Sequence, residues 1–257
     1  MQRAVFVTHV PHEGAGLAGE IAAELGFRVE TVEAHQGEPL PTNLGSKDVL
    51  VVMGGPMGVR DLQDPRFPWL EPTVALLRER LAKDYPSLGI CLGCQLMAHA
   101  AGAKVQALQG PDGVRIKELG WLPIRMESSD DDLTRGLPGE LTVLHWHGDG
   151  CALPSGATWL ASSEVCPVQM FRIGKNVGVQ FHPEVDAATA CLWAEEDAVF
   201  VREAHGPDGV EQVRRDCERM FGQTDSMRRE LLRRIFRLAM ASDTEPSLPG
   251  LGSVPKG

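Results

Sequence analysis

One segment of the sequence has the residue types and spacing of a nucleophile at a strand-to-helix turn. The apolar run Leu88–Ile90 leads into Cys91, and glycines stand two residues before it and two residues after it. Such glycines permit a tight, strained turn that exposes the side chain between them at the carboxyl edge of a sheet. A helix after the turn directs its N–H groups at the sulfur, which favours the thiolate and stabilises an oxyanion. The pattern predicts a nucleophilic Cys91, and an inert buried cysteine is the alternative.

A second segment could supply the base that a cysteine nucleophile needs. A predicted strand ends in His182, Pro183 stops further sheet pairing, and Glu184 is placed to orient the imidazole ring. Cysteine, histidine and carboxylate together generate a thiolate and then carry its proton through the reaction. A histidine and a glutamate at a strand end are a weak signal alone, but a much stronger one beside the turn at Cys91.

A third segment, Gly54-Gly55-Pro56, closes another predicted strand. In open α/β sheets, sites form beyond the carboxyl ends of the strands. A glycine-rich turn at that edge can aim a backbone N–H at a developing oxyanion. A plain tight turn is the alternative interpretation of this segment.

Cys91 and Cys94 also form a C-x-x-C pair, which suggests a redox or a zinc site. A thioredoxin-type pair normally lies early in its domain, and nothing else in the sequence supports a catalytic disulfide. A zinc site needs a second pair of ligands, whereas Cys151 and Cys166 are isolated in the sequence. We therefore expect no redox disulfide, no metal and no cofactor, and the role of Cys94 stays open.

The elements that would position these segments alternate between strands and helices. Strands are expected at about residues 4–10, 28–32, 48–53 and 87–91, with helices at about 17–25, 69–81 and 95–101. This alternation predicts an α/β fold with an open, mostly parallel sheet and helices on both faces. From about Val105, further β-rich segments separated by Gly and Pro predict hairpins and late strands of the sheet.

The region after Pro183 is expected to be helical. Apolar residues recur at three- and four-residue steps from Gly209 to Met240, and Gly222 divides them into two predicted amphipathic helices. The second helix is rich in arginine, which indicates a solvated face opposite a buried stripe or a docking surface. The predicted organisation is a domain at 1–195, a helical C-terminal extension at 196–241 and a disordered tail at 242–257.

Composition limits the classes of partner. The chain has 257 residues, and 25 Lys and Arg against 35 Asp and Glu give a formal charge of −10. This charge repels phosphate, so we expect no nucleic acid and no membrane as partner. No apolar run approaches the roughly 18 residues of a membrane span, and the N-terminus does not resemble a signal peptide. Six cysteines without secretion signals favour reduced thiols, and we expect a cytoplasmic protein.

The three segments, in this order and at these separations, resemble the class I (triad-type) glutamine amidotransferase family. The matching motifs are Gly54-Gly55-Pro56, Gly89-x-Cys91-x-Gly93-x-Gln95 and Gln180-Phe181-His182-Pro183-Glu184. Glu118–Trp121 and His145–Asp149 look like the subgroup related to the amidotransferase domain of GMP synthase. The resemblance covers roughly residues 4–193, and it implies a flavodoxin-like core in this chain.

The resemblance also implies a reaction. Cys91 would attack the γ-carboxamide of glutamine and form a γ-glutamyl thioester with loss of ammonia. His182 would deprotonate the thiol and protonate the leaving nitrogen, and Glu184 would hold the ring. The N–H groups of Gly55 and Leu92 would form the oxyanion hole.

The residues implied in seating the glutamyl group are Gln95, His147 and Gly148. A loop histidine bonded to local backbone is the alternative for His147. Trp121 and Trp146 are as compatible with packing as with the wall of a pocket.

The sequence leaves the physiological reaction open. The substrate is glutamine or another γ-glutamyl small molecule, and the enzyme is either a glutaminase subunit that feeds an ammonia-accepting synthase or a γ-glutamyl hydrolase or peptidase. No acceptor domain and no P-loop is found in the chain. A third alternative is a non-catalytic relative that binds a ligand or regulates another protein, although Cys91, His182 and Glu184 are all present.

Overall fold

The chain folds around one large sheet with helices on both of its faces. The computed structural model describes residues 1–241. The strands are β1 Arg3–Thr8, β2 Arg28–Glu33, β3 Val49–Val52, β4 Ser87–Ile90, β5 Val105–Ala107, β6 Glu118–Met126, β7 Glu140–His147, β8 Asp149–Cys151, β9 Thr158–Ser162, β10 Met170–Ile173 and β11 Asn176–Val179. The α-helices are α1 Gly16–Glu24, α2 Leu70–Ala82, α3 Leu92–Ala100, α4 Ala187–Glu196, α5 Ala198–His205 and α6 Gly209–Met240, with short 3-10 helices at Ala34–Gln36 and Val59–Asp61.

The main sheet has nine strands in the order β2-β1-β3-β4-β11-β10-β9-β6-β7. In this spatial order, the first five strands, β2, β1, β3, β4 and β11, are parallel to one another. The remaining strands β10, β9, β6 and β7 each pair antiparallel with the strand before them. β5 and β8 form a separate antiparallel pair. The predicted open α/β sheet with late hairpins is therefore confirmed.

The parallel strands β1, β3, β4 and β11 are buried on both faces, which explains why they lack a polar alternation, whereas the edge strand β2 is largely exposed. Phe6 of β1 packs in a cluster with Ile21 of α1 and Phe236 of α6. Its neighbour Val7 points to the opposite face and packs in a cluster with Leu77 of α2. Burying each such side chain contributes about 1.5–3 kcal/mol. Because Phe236 belongs to the first cluster, α6 is part of the main core.

The carboxyl ends of the central strands meet at one edge of the sheet. β3 ends before the turn at Gly54, β4 ends at Ile90 directly before Cys91, and β11 ends three residues before His182. After β1, the chain places β2 on one side of it and β3 on the other, so the direction in which strands are added reverses between β1 and β3. Ligand sites of open α/β sheets form at such a reversal.

The two predicted C-terminal helices are a single helix, and the break expected at Gly222 is wrong. α6 runs without interruption over Gly209–Met240. Val213 before the glycine and Leu231 after it are both buried. A glycine inside a helix costs about 1 kcal/mol relative to alanine, and burial of the apolar stripe on both sides outweighs this cost.

The arginines of α6 bind to the chain itself. Arg229 pairs with Glu20 at 3.3 Å, and both Arg229 and Arg233 pair with Glu24 at 3.4 and 3.0 Å. These arginines of α6 thus form ion pairs with glutamates of α1. The sequence suggests a solvated face or a docking surface, and neither interpretation includes this internal contact.

Among residues 1–241, no helix is both long and apolar enough to cross a membrane. The predicted disordered tail at 242–257 lies outside the described residues. The predicted division at residues 195 and 196 stays a prediction.

Candidate active site

Cys91 occupies the turn between β4 and α3. Its backbone has φ 51° and ψ −105°, a conformation that non-glycine residues rarely adopt. The turn closes tightly, because a Cβ on Gly89 would collide with the carbonyl of Gly93, and a Cβ on Gly93 would collide with the carbonyl of Val52. The Cys91 side chain lines a cavity of about 520 Å³. This is the strained turn that the glycine spacing predicts.

His182 and Glu184 come together beside this sulfur. Nδ1 of His182 lies 2.8 Å from Oε1 of Glu184, and both side chains are buried. An ionised carboxylate only accepts, so Nδ1 carries the proton and donates it. The other ring nitrogen is then available to Cys91, whose thiol lies 3.8 Å from the carbonyl oxygen of Trp146.

The charges around His182 favour its protonated form. Burial lowers the pKa of this imidazole, but the charges of Glu184 and Cys91 and the hydrogen bonds to both outweigh burial. The pKa of His182 consequently lies well above its usual range. The arrangement can therefore hold a proton taken from the thiol and return it to a leaving group.

The turn that carries Glu184 is held from two sides. Arg228 of α6 donates from Nη1 to the carbonyls of Val185 and Pro183, at 2.5 and 3.4 Å. Leu17 of α1 donates its backbone N–H to the carbonyl of Glu184 at 2.8 Å. Three successive carbonyls of the turn thus have fixed donors, which restricts the position of the carboxylate.

The structure brings together the two residues expected to form the oxyanion hole. A Cβ on Gly55 would lie 3.2 Å from Cδ2 of Leu92 and 3.1 Å from Cβ of His9. Leu92 is the first residue of α3, where a backbone N–H has no partner within the helix. Gly55 and Cys91 line the same cavity. The role of these N–H groups stays a prediction.

Gln95, His147 and Gly148, expected to seat the glutamyl group, also line this cavity. Nε2 of Gln95 donates to the carbonyl of Asp149 at 3.2 Å and to Oε1 of Gln180 at 3.3 Å. Their contact with a substrate stays a prediction.

The sequence model of the family described as glutamine amidotransferase class I matches residues 20–191. The chain belongs to the class I glutamine amidotransferase family. The glutamine amidotransferase-like protein YfeJ of Salmonella typhimurium is 35% identical over 187 residues, which cover 71% of this chain and 75% of that protein. The resemblance that the motifs predict is confirmed.

A solved structure of a glutamine amidotransferase from Thermotoga maritima has a TM-score of 0.79 and 30% identity, covering 93% of this chain and 99% of that one. The glutamine-hydrolysing GMP synthase of Bacillus subtilis is 38% identical over 139 residues, 53% of this chain. The match covers only 24% of that synthase. This relative is therefore much longer than the segment that the chain matches.

A buried polar cluster supports the cavity of this family member from behind. Oε2 of Glu118 lies 3.2 Å from Nε2 of His147, and Nδ1 of His147 lies 3.0 Å from the carbonyl of Asp149. Ser163 and Gln169 donate to the two oxygens of Glu118 at 2.5 and 2.6 Å. The sequence does not reveal this network, because its residues lie far apart in the chain, on β6, on β7 and in the segment that follows β9.

Cys166 joins the same cluster, although it is isolated in the sequence. Ligand atoms of Glu118, His147 and Cys166 lie within 4.8 Å of one another, the one group in the described part of the chain that could hold a metal ion. Each of these side chains already has a hydrogen-bond partner, and the thiol donates to the carbonyl of Val168 at 3.4 Å. Hydrogen bonding thus accounts for the arrangement without an ion.

Cys94 has none of the properties of a reactive thiol. It is fully buried, and this burial raises the pKa of its thiol well above the usual range. A buried thiol of this kind is inert. Cys94 therefore acts as a packing residue of α3.

Several cavity residues escape the sequence analysis. Glu13, Trp193 and Asp197 line the cavity, as does Trp146, whose role the sequence leaves open. Glu13 follows β1 at the same sheet edge as Gly54, so its position after a strand end is a signal that could have identified it. Trp193 lies in the last turn of α4 and Asp197 directly after it, and neither carries such a signal. Trp121 packs edge-on against Phe221 instead, with centroids 4.9 Å apart.

Proposed function

We propose that the chain is a cysteine hydrolase that cleaves γ-glutamyl amides, glutamine among them, through a γ-glutamyl thioester on Cys91. The observation that carries this proposal is the strained backbone of Cys91 beside a His182–Glu184 pair with Nδ1 and Oε1 at 2.8 Å. Family membership and a glutamine-hydrolysing relative support the same reaction class.

The first half of the reaction forms the thioester. His182 takes the thiol proton, and the sulfur of Cys91 attacks the γ-carbonyl carbon. The N–H groups of Gly55 and Leu92 stabilise the oxyanion, a contribution worth about 3–4 kcal/mol per donor in comparable enzymes. As the C–N bond breaks, the proton on His182 passes to the nitrogen, and ammonia or an amine leaves.

The second half regenerates the enzyme. His182 accepts a proton from water, and the resulting hydroxide attacks the thioester carbonyl. The C–S bond then breaks, glutamate leaves, and the sulfur regains its proton from His182. Glu184 keeps the ring in one orientation through both halves.

Ammonia delivery to a synthase is the second candidate function. It is favoured by the similarity to the amidotransferase part of GMP synthases. Glutaminase activity that rises when a co-purified synthase is added supports delivery, whereas full turnover of γ-glutamyl amides by the isolated chain supports independent hydrolysis.

Covalent labelling tests the proposed nucleophile. A diazo-ketone analogue of glutamine is expected to modify Cys91 alone, as read from the mass of the peptide that contains it. Cys94→Ala removes the neighbouring thiol and should leave labelling unchanged, whereas Cys91→Ala should abolish both labelling and hydrolysis. Full hydrolysis by folded Cys91→Ala contradicts the proposal.

A further inference from the structure

The lining of the cavity at Cys91 carries both cationic and anionic side chains. At one end, Arg60 and Arg115 both bind the carboxylate of Asp149, at 3.2 and 2.8 Å. Gln95 belongs to this end, because its Nε2 donates to the backbone carbonyl of Asp149 at 3.2 Å. Guanidinium groups recognise carboxylates, so this end suits the α-carboxylate of a glutamyl group.

The other end lies beyond the His182 ring. Trp193 packs edge-on against that ring with centroids 4.9 Å apart, and against Trp146 with centroids 5.6 Å apart. Trp146 donates from Nε1 to Oδ2 of Asp197 at 3.2 Å. Glu13, Asp197 and both tryptophans line the cavity, and these four side chains are called the acidic wall below. Lys117 also lines the cavity, but its ammonium group pairs with Glu203 and lies 4.0 Å from the centre of the Phe200 ring.

Of the two carboxyl groups in the acidic wall, that of Glu13 has no hydrogen bond from another side chain within residues 1–241, whereas Asp197 accepts one from Trp146. A Cβ on Gly54 would collide with Oε2 of Glu13 and lie 3.3 Å from Cε1 of His182, so the carboxyl sits next to the ring. Within residues 1–241 this carboxyl forms no ion pair, and it faces Glu184 and Asp197. Burial raises the pKa of Glu13 to about 7 against the opposing charge of His182. A cation bound here would stabilise the carboxylate.

We propose that the acidic wall is the leaving-group subsite and selects γ-glutamyl amides of amines that carry a second, cationic group, as an aliphatic diamine does. This inference rests on the proposed γ-glutamyl hydrolysis and specifies the amine half of the substrate. Carboxylates attract an ammonium group, and indole faces bind it through cation–π contacts. The cavity of about 520 Å³ falls in the range of roughly 300–1,000 Å³ that is typical of small-molecule sites.

The reaction needs no reagent besides water. The amide C–N bond breaks, and the proton that His182 took from the thiol passes to the leaving nitrogen. The diamine departs with its distal ammonium group unchanged. Water then cleaves the thioester on Cys91 and releases glutamate.

A matched pair of substrates tests the charge preference. γ-Glutamyl-4-aminobutylamide and γ-glutamyl-pentylamide have the same length and differ only in a terminal ammonium or methyl group. Glutamate release at pH 8 is expected to give a kcat/KM about tenfold or more higher for the cationic amide, because its ammonium group meets two carboxylates in a partly desolvated site.

Three variants assign this preference to the acidic wall. Glu13→Gln and Asp197→Asn each remove one charge, and asparagine still offers Trp146 an acceptor. Each should lower the ratio of the two kcat/KM values towards one. Glu195→Gln is the matched control, since Glu195 pairs with Arg214 and does not line the cavity, and it should leave the ratio unchanged.

The outcomes separate the subsite from the proposed reaction. Equal turnover of the two amides by the wild-type protein overturns the subsite and leaves γ-glutamyl hydrolysis standing. Calorimetric binding of the same pair to Cys91→Ala makes the comparison without turnover: tighter binding of the cationic amide supports the subsite, and equal binding overturns it. Failure of the wild-type protein to hydrolyse glutamine or either amide contradicts the proposed function instead.

Discussion

At the scale of single residues, the surroundings of Glu13 disfavour the ionised form of its carboxyl group. Burial raises its pKa from 4.5 to about 7, and the charges of Glu184 and Asp197 add to the effect while His182 opposes it. Between these two pH values the unfolded chain releases the proton that the folded chain retains. The contribution of Glu13 to stability is therefore most favourable below pH 4.5 and is lost as the pH rises to about 7.

Glu13→Gln removes this ionisable group and should stabilise the folded protein in a pH-dependent way. We expect a gain on the order of 2 kcal/mol in the free energy of unfolding at pH 8 and a smaller gain at pH 5. Urea denaturation of both proteins at the two pH values measures the difference. An equal change at pH 5 and pH 8 would show that Glu13 does not titrate in this range.

At the scale of elements, α6 contributes to the site through one arginine. Arg228 is buried, and its guanidinium lies 4.9 Å from the centre of the Phe221 ring while it binds the carbonyls of Pro183 and Val185. The family match ends at residue 191, so this contact comes from outside the matched region. α6 therefore holds the turn that carries Glu184, although none of its residues lines the cavity.

Arg228→Met should lower kcat about 10–100-fold with little change in KM, because a shift of the Glu184 turn of about 1 Å disturbs the orientation of His182. Arg228→Lys keeps the positive charge and a hydrogen-bond donating group and should recover part of the loss. Steady-state kinetics measures both variants. Arg233→Met, at a site whose guanidinium pairs with Glu24 of α1, is the control, and equal loss of kcat in that variant would contradict the positioning role.

The continuity of α6 gives a separate prediction at this scale. A Cβ on Gly222 would meet no atom within 4 Å, and the residue lies inside a regular helix. Gly222→Ala should raise the free energy of unfolding by about 0.5–1 kcal/mol, because alanine restricts the unfolded chain and fits the helix. Thermal unfolding measures the change. A loss of stability would indicate that the helix breaks at this position after all.

At the scale of the whole molecule, the sequence predicts those features that depend on short spacing. The glycines around Cys91 and the His182-Pro183-Glu184 turn identify their own local geometry, and the parallel sheet then brings their strand ends to one edge. The alternation of strands and helices predicts the sheet because each unit is local.

The features that the sequence does not predict depend on contacts between distant segments. Arg228 reaches the Glu184 turn only because α6 packs across α1 and α4. Cys166 meets Glu118 because β6 pairs with β9, which sequence isolation conceals. At Gly222, burial of the apolar residues on both sides outweighs the local preference of glycine to end a helix. Tertiary packing thus decides each of these cases.

The most direct measurement of the central claim is detection of the covalent intermediate. Wild-type protein mixed with a γ-glutamyl amide, quenched in acid within milliseconds and digested, is expected to show a γ-glutamyl adduct on the peptide that contains Cys91. His182→Asn should slow its formation about 10²–10⁴-fold, and hydroxylamine should remove the adduct. Glutamate release without any adduct on that peptide, and undiminished in Cys91→Ala, would contradict the account.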